Sequence, residues 1–209
     1  MHRSTVLSIL DILLIAERLD AMSAKGLESG LLGTLPKKEQ TYFKAAVSEE
    51  YSHAELLMHL GAGAPNKAFY FPPGTFDSLG QYLKVLLSLE EAGISAYSAA
   101  IYQFAASRMA EQRLALIGAR ILRIEAEHRV LVRDVQDESP PHNLCFEVIT
   151  STSVRENAKV LRPFLTPDQF SGESTGPVFF PSEESVESLA GSDYCRNPSG
   201  VVLMRQDCD

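Results

Sequence analysis

Two short motifs carry the chemistry of this chain: Glu50-Tyr51-Ser52-His53 and Glu125-Ala126-Glu127-His128. Each is Glu-x-x-His inside a helical pattern. Residues three apart share a helix face, so each motif aims one carboxylate and one imidazole the same way. Two such pairs, with a lone Glu from each of two further helices, form the ligand set of a four-helix di-iron or di-manganese carboxylate site. Glu17 and Glu90 are the candidates for the lone positions. Four carboxylates offset the mutual repulsion of two nearby cations and can bridge them, and two imidazoles complete the shell. Oxygen-rich N/O coordination suits iron or manganese better than copper. Such a pair of ions can meet dioxygen or peroxide.

Four helical stretches must position these groups. The first runs from an N-cap at Ser4 to a stop at Gly26, with Val6, Leu10, Leu13, Glu17 and Ala21 facing inward. The second starts near Pro36 and ends near Gly61; its stripe is Phe43, Ala46, Val47, Glu50, His53, Ala54 and Leu57. The third follows Pro72-Pro73-Gly74 and reaches Ala106, with Leu83, Leu86, Glu90, Gly93, Tyr97 and Phe104 inward. The fourth covers Ala110 to Val135, with Ile117, Ile121, Glu125, His128 and Val132 inward. Each stripe keeps the 3.6-residue period and carries an acid in the middle of its apolar face. Buried carboxylates without inward Lys or Arg require a counter-charge, which a metal supplies.

Loop lengths set the topology. Segment 27–35 and the turn near 107–109 are short, so helices one and two, and then three and four, form antiparallel hairpins. Between them, fourteen residues (Ala62–Thr75) reach at most about 45 Å when extended. A helix of about 25 residues is about 38 Å long, so this segment can cross the whole bundle. Glu17 precedes Glu50 by 33 residues and Glu90 precedes Glu125 by 35. Each hairpin thus supplies a lone Glu and then a Glu-x-x-His, as in an internal repeat. The expected fold is all-α: a four-helix bundle over residues 1–138 and a Pro-rich extension over 139–209 that wraps the bundle or forms an interface.

Neighbouring residues read differently. Glu91 lies about 100° around the helix from Glu90, off the stripe. Asp20 is a nearby alternative ligand or supporting acid. Tyr97, two turns from Glu90, reads as core packing rather than as a redox phenol. His59 sits in a last helical turn, complementing the dipole. His2 and His142 carry no signal, and Glu49, Glu55 and Glu127 point outward into solvent.

The formal net charge of −8 argues against nucleic acid and against an anionic membrane surface. No run is long enough to span a bilayer. The apolar segment Val6–Ala16 contains Asp11 and continues into Glu17-Arg18-Leu19-Asp20, so it reads as a core helix rather than a signal peptide. That favours the cytoplasm, with an extracellular location as the alternative. Cys145, Cys195 and Cys208 are too few and too dispersed for a zinc cluster; reduced thiols are expected, or a Cys145–Cys195 or Cys195–Cys208 disulfide if the protein is exported. The extension holds seven of the eleven prolines. In it, Ser153-Val154-Arg155-Glu156 reads as a capping box opening a helix to Leu161, and Ser182 as the cap of another short turn.

These residues resemble the ferritin-like superfamily, and more closely its desiccation-related branch. The carriers are Ala16-Glu17-Arg18-Leu19-Asp20-Ala21, Glu49-Glu50-Tyr51-Ser52-His53, Leu89-Glu90-Glu91-Ala92-Gly93-Ile94-Ser95-Ala96-Tyr97 and Glu125-Ala126-Glu127-His128, within residues 5–135. The resemblance implies Glu90 rather than Glu91 as ligand, two Fe or Mn ions, and dioxygen or peroxide as partner, in oxidative or desiccation stress. It leaves the reaction open between ferroxidase, peroxidase-like and catalase-like chemistry. A stress-related structural protein with a stabilising metal clamp is the alternative. A homodimer is compatible with the sequence, whereas an iron-storage cage finds no support in it.

Overall fold

The structure is a computed structural model that describes residues 2–107 and 109–191. Cys195 and Cys208, and with them both disulfide pairings, lie outside the described residues. Cys145 is a free, exposed thiol.

Four long stretches build the bundle, as expected. Helix α1 spans Arg3–Leu19 and α2 Ala21–Glu28; α3 is Lys37–His59, α4 Leu79–Ala105 and α5 Met109–Val135. The first stretch is not one helix. At Asp20 the backbone tightens (φ −72°, ψ 6°), and its N–H reaches Glu17 and Arg18 carbonyls. The Asp20 side chain takes a hydrogen bond from Ser23 Oγ at 2.6 Å. An acid and a hydroxyl three apart offer each other this local alternative to regular helix. The N-cap of α1 is His2 rather than Ser4, whose carbonyl Ser8 Oγ uses instead. Ser78 caps α4 by accepting from Gln81 N–H. After α5, Asp137 adopts φ +58° and Glu138 N–H returns to Arg133 O, closing the helix end.

The crossover between α3 and α4 runs extended, and its middle is a strand, β1 (Ala68–Phe71). It pairs antiparallel with β2 (Thr175–Phe179) from the C-terminal extension, with Phe69 opposite Val178. The register shifts between Phe69 and Phe71. Gly176 lies there at φ +149°, and a Cβ would stand 2.7 Å from the Phe69 carbonyl oxygen, so only glycine fits.

The rest of the extension also packs on the bundle. Helix α6 (Val154–Leu161) lies against α4 and α1, and α7 (Glu183–Ala190) against α3. Ser153 stands at the N-cap of α6, but its side chain makes no capping bond. Ser182 does cap α7, accepting from Ser185 N–H. The joint to α4 is a buried polar knot: Asn157 Nδ2 donates to Ser95 O at 3.0 Å, while Thr150 N–H donates to Ser95 Oγ. No helix among the described residues is long and apolar enough to cross a membrane.

Besides a small group of Ala24, Val47 and Val186, the core divides into two large apolar clusters. One gathers Leu10, Leu13, Leu57, Tyr97, Phe104 and Ile121. The other gathers Leu19, Met22, Phe43, Tyr82, Leu86 and Val132. All four long helices run from one cluster to the other, and all four place their acidic ligand candidate between them.

Candidate metal centre

At the seam between the two clusters, all six expected residues converge. Glu17 comes from α1, Glu50 and His53 from α3, Glu90 from α4, and Glu125 and His128 from α5. The four carboxylates and His128 are buried, and His53 is nearly so. Glu91, in contrast, is exposed. The ligand atoms fall into two groups, Glu17, Glu50, His53 and Glu125, and Glu50, Glu90, Glu125 and His128, each within 4.8 Å of one another. Glu50 and Glu125 belong to both. The helical i, i+3 spacing explains this: each motif Glu points to the centre while its His reaches outward to one side. The lone Glu and the His of one hairpin flank each end.

Distances tie the groups together. His53 Nδ1 lies 3.0 Å from Glu17 and 3.3 Å from Glu125. His128 Nδ1 lies 2.7 Å from Glu50 and 4.0 Å from Glu90. Even so, Glu50 Oε1, Glu125 Oε1 and His128 Nδ1 make no aligned hydrogen bond. They are buried and close to one another without aligned donor–acceptor pairs. Buried polar atoms are ordinarily satisfied, so the three orphans mark the place where cations fit.

Charge leads to the same conclusion. The two buried arginines near these helices are engaged elsewhere. Arg18 donates to Ala64 O at 2.7 Å and to Asn66 O. Arg129 is held by both oxygens of Glu147 in the extension. The carboxylates perturb one another, with Arg129 only partly offsetting the effect at Glu90. Burial pushes Glu50 and Glu90 well above the usual range, and the neighbouring Glu125 charge adds to it. Burial also raises Glu125, with Glu17 next in effect. Asp20, half-buried beside them, is raised to about 7 mainly by desolvation. Burial acts against charge on His53 too, but Glu17 and Glu125 outweigh it and raise the imidazole to about 10. Against burial, Glu49 and Glu125 raise His128. Burial acts to raise Glu17 too, but the His53 contact with the Glu50 and Tyr97 hydrogen bonds outweighs it, and Glu17 alone of these acids is lowered. The imidazolium protons thus supply a partial counter-charge that a cation would displace.

Three supporting residues surround the set. Glu49 is not a solvated outward acid: its Oε2 lies 2.8 Å from His128 Nε2, fixing the ring whose Nδ1 faces the centre. Its side chain is 31% exposed, so it bridges surface and core. Such outer partners orient a metal-ligating histidine and raise its basicity. A clue existed in the sequence, namely an acid directly before the motif Glu, but its partner lies on another helix. Tyr97 packs in the core as expected and also donates its hydroxyl to Glu17 Oε1. Gly93, one turn after Glu90, leaves room for Glu125; a Cβ there would stand 3.4 Å from Glu125 Oε2. Glu55 and Glu127 are exposed as expected, and so is His59.

A helical bundle with two carboxylate–histidine groups that share two glutamates defines the class: its clusters could hold metal ions at mid-bundle. The chain matches the family described as ferritin-like domain over residues 10–138, more than half its length, and it belongs to that family. No curated protein and no solved structure matches it.

Proposed function

We propose that this protein is a dimetal carboxylate protein that takes two Fe or Mn ions and reacts with dioxygen or peroxide, in protection against oxidative or desiccation stress. The observation that carries the reading is the sharing of Glu50 and Glu125 between two ligand groups. A single-ion site has no use for six converging ligands, whereas a pair of ions needs bridging carboxylates. Glu17 and His53 would hold one ion, Glu90 and His128 the other, with Glu50 and Glu125 between them. When bound, the ions supply redox chemistry toward dioxygen or peroxide.

The protein's own groups do the rest. The apolar clusters above and below the seam exclude bulk water. Tyr97 holds Glu17 in place through its hydroxyl, and Glu49 does the same for His128. Asp20, one turn after Glu17, is linked through Ser23 to the Tyr82 hydroxyl in a hydrogen-bonded chain. The desiccation assignment rests on the sequence resemblance around Glu90–Tyr97.

The test is turnover. Protein loaded with Fe(II) or Mn(II) is mixed with dioxygen or hydrogen peroxide, and oxidant consumption is followed beside Glu50→Gln. Consumption that the variant lacks supports the reading. Equal, slow consumption by both, with metal still bound to the native chain, leaves a stabilising clamp instead.

A further inference from the structure

On the face of α1 opposite Glu17, the bundle and the extension leave a groove. It runs between α1 and the segment from Arg155 to Leu165, with a volume of about 600 Å³, within the range of small-molecule sites of roughly 300–1,000 Å³. Its floor is apolar: Ile12 and Ile15 from α1, Leu161 and Leu165 from the extension. Along its rim stand Arg155, Lys159 and Arg162. At 100° per residue, these three occupy a wedge of about 60° on one flank of the helix. Ala158 and Leu161 occupy the adjoining flank. Glu156 is the one acid lining the groove, and it is already paired with Lys159 at 2.5 Å. Arg155 and Arg162 have no ion-pair partner among the described residues, and both are exposed. On a chain of net charge −8, two unpaired arginines over an apolar trough are a local reversal of sign.

We infer that this groove binds a single-chain anionic amphiphile, a fatty acid or an alkyl phosphate. The acyl chain lies along Ile12, Ile15 and Leu165, and the head group is held at the arginine rim. Guanidinium matches carboxylate and phosphate alike through paired N–H donors, so the head-group chemistry is shared by both sources. A bilayer surface fits less well. Its acyl chains are reached by a protruding apolar face, whereas these apolar side chains line a recess.

The full-length protein is titrated by calorimetry with dodecanoate, dodecyl phosphate and dodecanol, below their aggregation concentrations. One saturable site per chain is expected for one or both anions, and the tighter of the two identifies the head group. Dodecanol should bind at least about tenfold more weakly, the loss of a charge-assisted contact. The double variant Arg155→Glu/Arg162→Glu should lose anion binding by at least the same factor while its melting temperature is unchanged. Ala158→Leu narrows the trough with the charges intact; it should weaken dodecanoate and leave acetate without effect. The inference is overturned by absence of saturable binding, by equal affinity for dodecanol, or by binding that survives the charge reversal. Binding only to anionic phospholipid vesicles, or ligand-induced pairing of two copies, overturns it too.

Discussion

The two halves of the metal centre are built from the same motif yet supported differently. In one half, His53 turns Nδ1 toward Glu17 and Glu125, and its lone glutamate is gripped by Tyr97. In the other, His128 is fixed from behind by Glu49, while its Nδ1 remains unsatisfied beside Glu50. The residue preceding the motif is Glu49 in one copy and Ile124 in the other. Helix pairing sends Glu49 to the opposite copy's histidine, so this difference and the Tyr97 contact together make the halves unequal. The lesson is that an internal repeat can specify a symmetric ligand set while its flanking residues assign different tasks to each end. The His128 half is the pre-oriented one; the His53 half is held by its mutual ion pairs, whose protons a bound cation would replace.

The comparison breaks most completely at the shared ligands. Replacing Glu50 or Glu125 by Ala should abolish binding of both ions, read as metal per chain. It should also erase metal-dependent stabilisation, which reaches about 4 kcal/mol at a metal concentration a thousandfold above Kd. A smaller effect is expected at the ends. Glu17→Gln and Glu90→Gln should each leave one ion per chain, and the surviving ions should differ in affinity. Equal behaviour of the two variants would remove the asymmetry. Next, Glu49→Gln should lower affinity about 10–100-fold at one site only, seen as two separate phases in a metal titration. A uniform weakening of both phases would assign Glu49 to the whole bundle instead.

The smallest expected effect is a pH dependence of the metal-free protein and of the stability it gains on binding metal. Glu50, Glu90, Glu125 and Asp20 are raised in the folded state. Their stabilisation is complete below the ordinary carboxyl range and is lost as pH rises through the folded values, about 7 for Asp20. His53 and His128 act in the same direction: their contribution is full below the usual imidazole range and fades toward about 10 for His53. Glu17, lowered, opposes them at acid pH. The metal-free protein should therefore melt at lower temperature at pH 8.5 than at pH 5.5, by about a few degrees. Metal binding displaces these protons, so the melting-temperature gain on adding metal should grow with pH. A gain that shrinks with pH would contradict the assignment of imidazolium as counter-charge.

Much of this centre was legible because buried ionisable residues stand out against an apolar period. Glu17, Glu50, Glu90 and Glu125 each interrupt a stripe, and the i, i+3 histidines follow from helix geometry alone. Cross-helix support was not legible. Glu49 looks solvated on its own helical wheel, and only the α3–α5 packing shows its target. Glu147 clamps Arg129 from a segment with no periodicity. The β1–β2 pair escaped for a similar reason: its strands lie about a hundred residues apart, and Gly176-Pro177 reads as a breaker rather than an edge strand. At Asp20, helical periodicity continues through a break that a local Asp–Ser hydrogen bond creates. What is local and periodic can be read; what depends on a distant partner needs the fold.

The central claim is a shared-carboxylate pair of ions at the seam between the two apolar clusters. Its most direct test is an anaerobic titration of the metal-free chain with Fe(II) or Mn(II), with bound metal counted by elemental analysis after desalting. The account predicts two ions per chain, entering in two unequal steps, and none in Glu50→Ala. Retention of less than one ion per chain, or equal retention by Glu50→Ala, would contradict it.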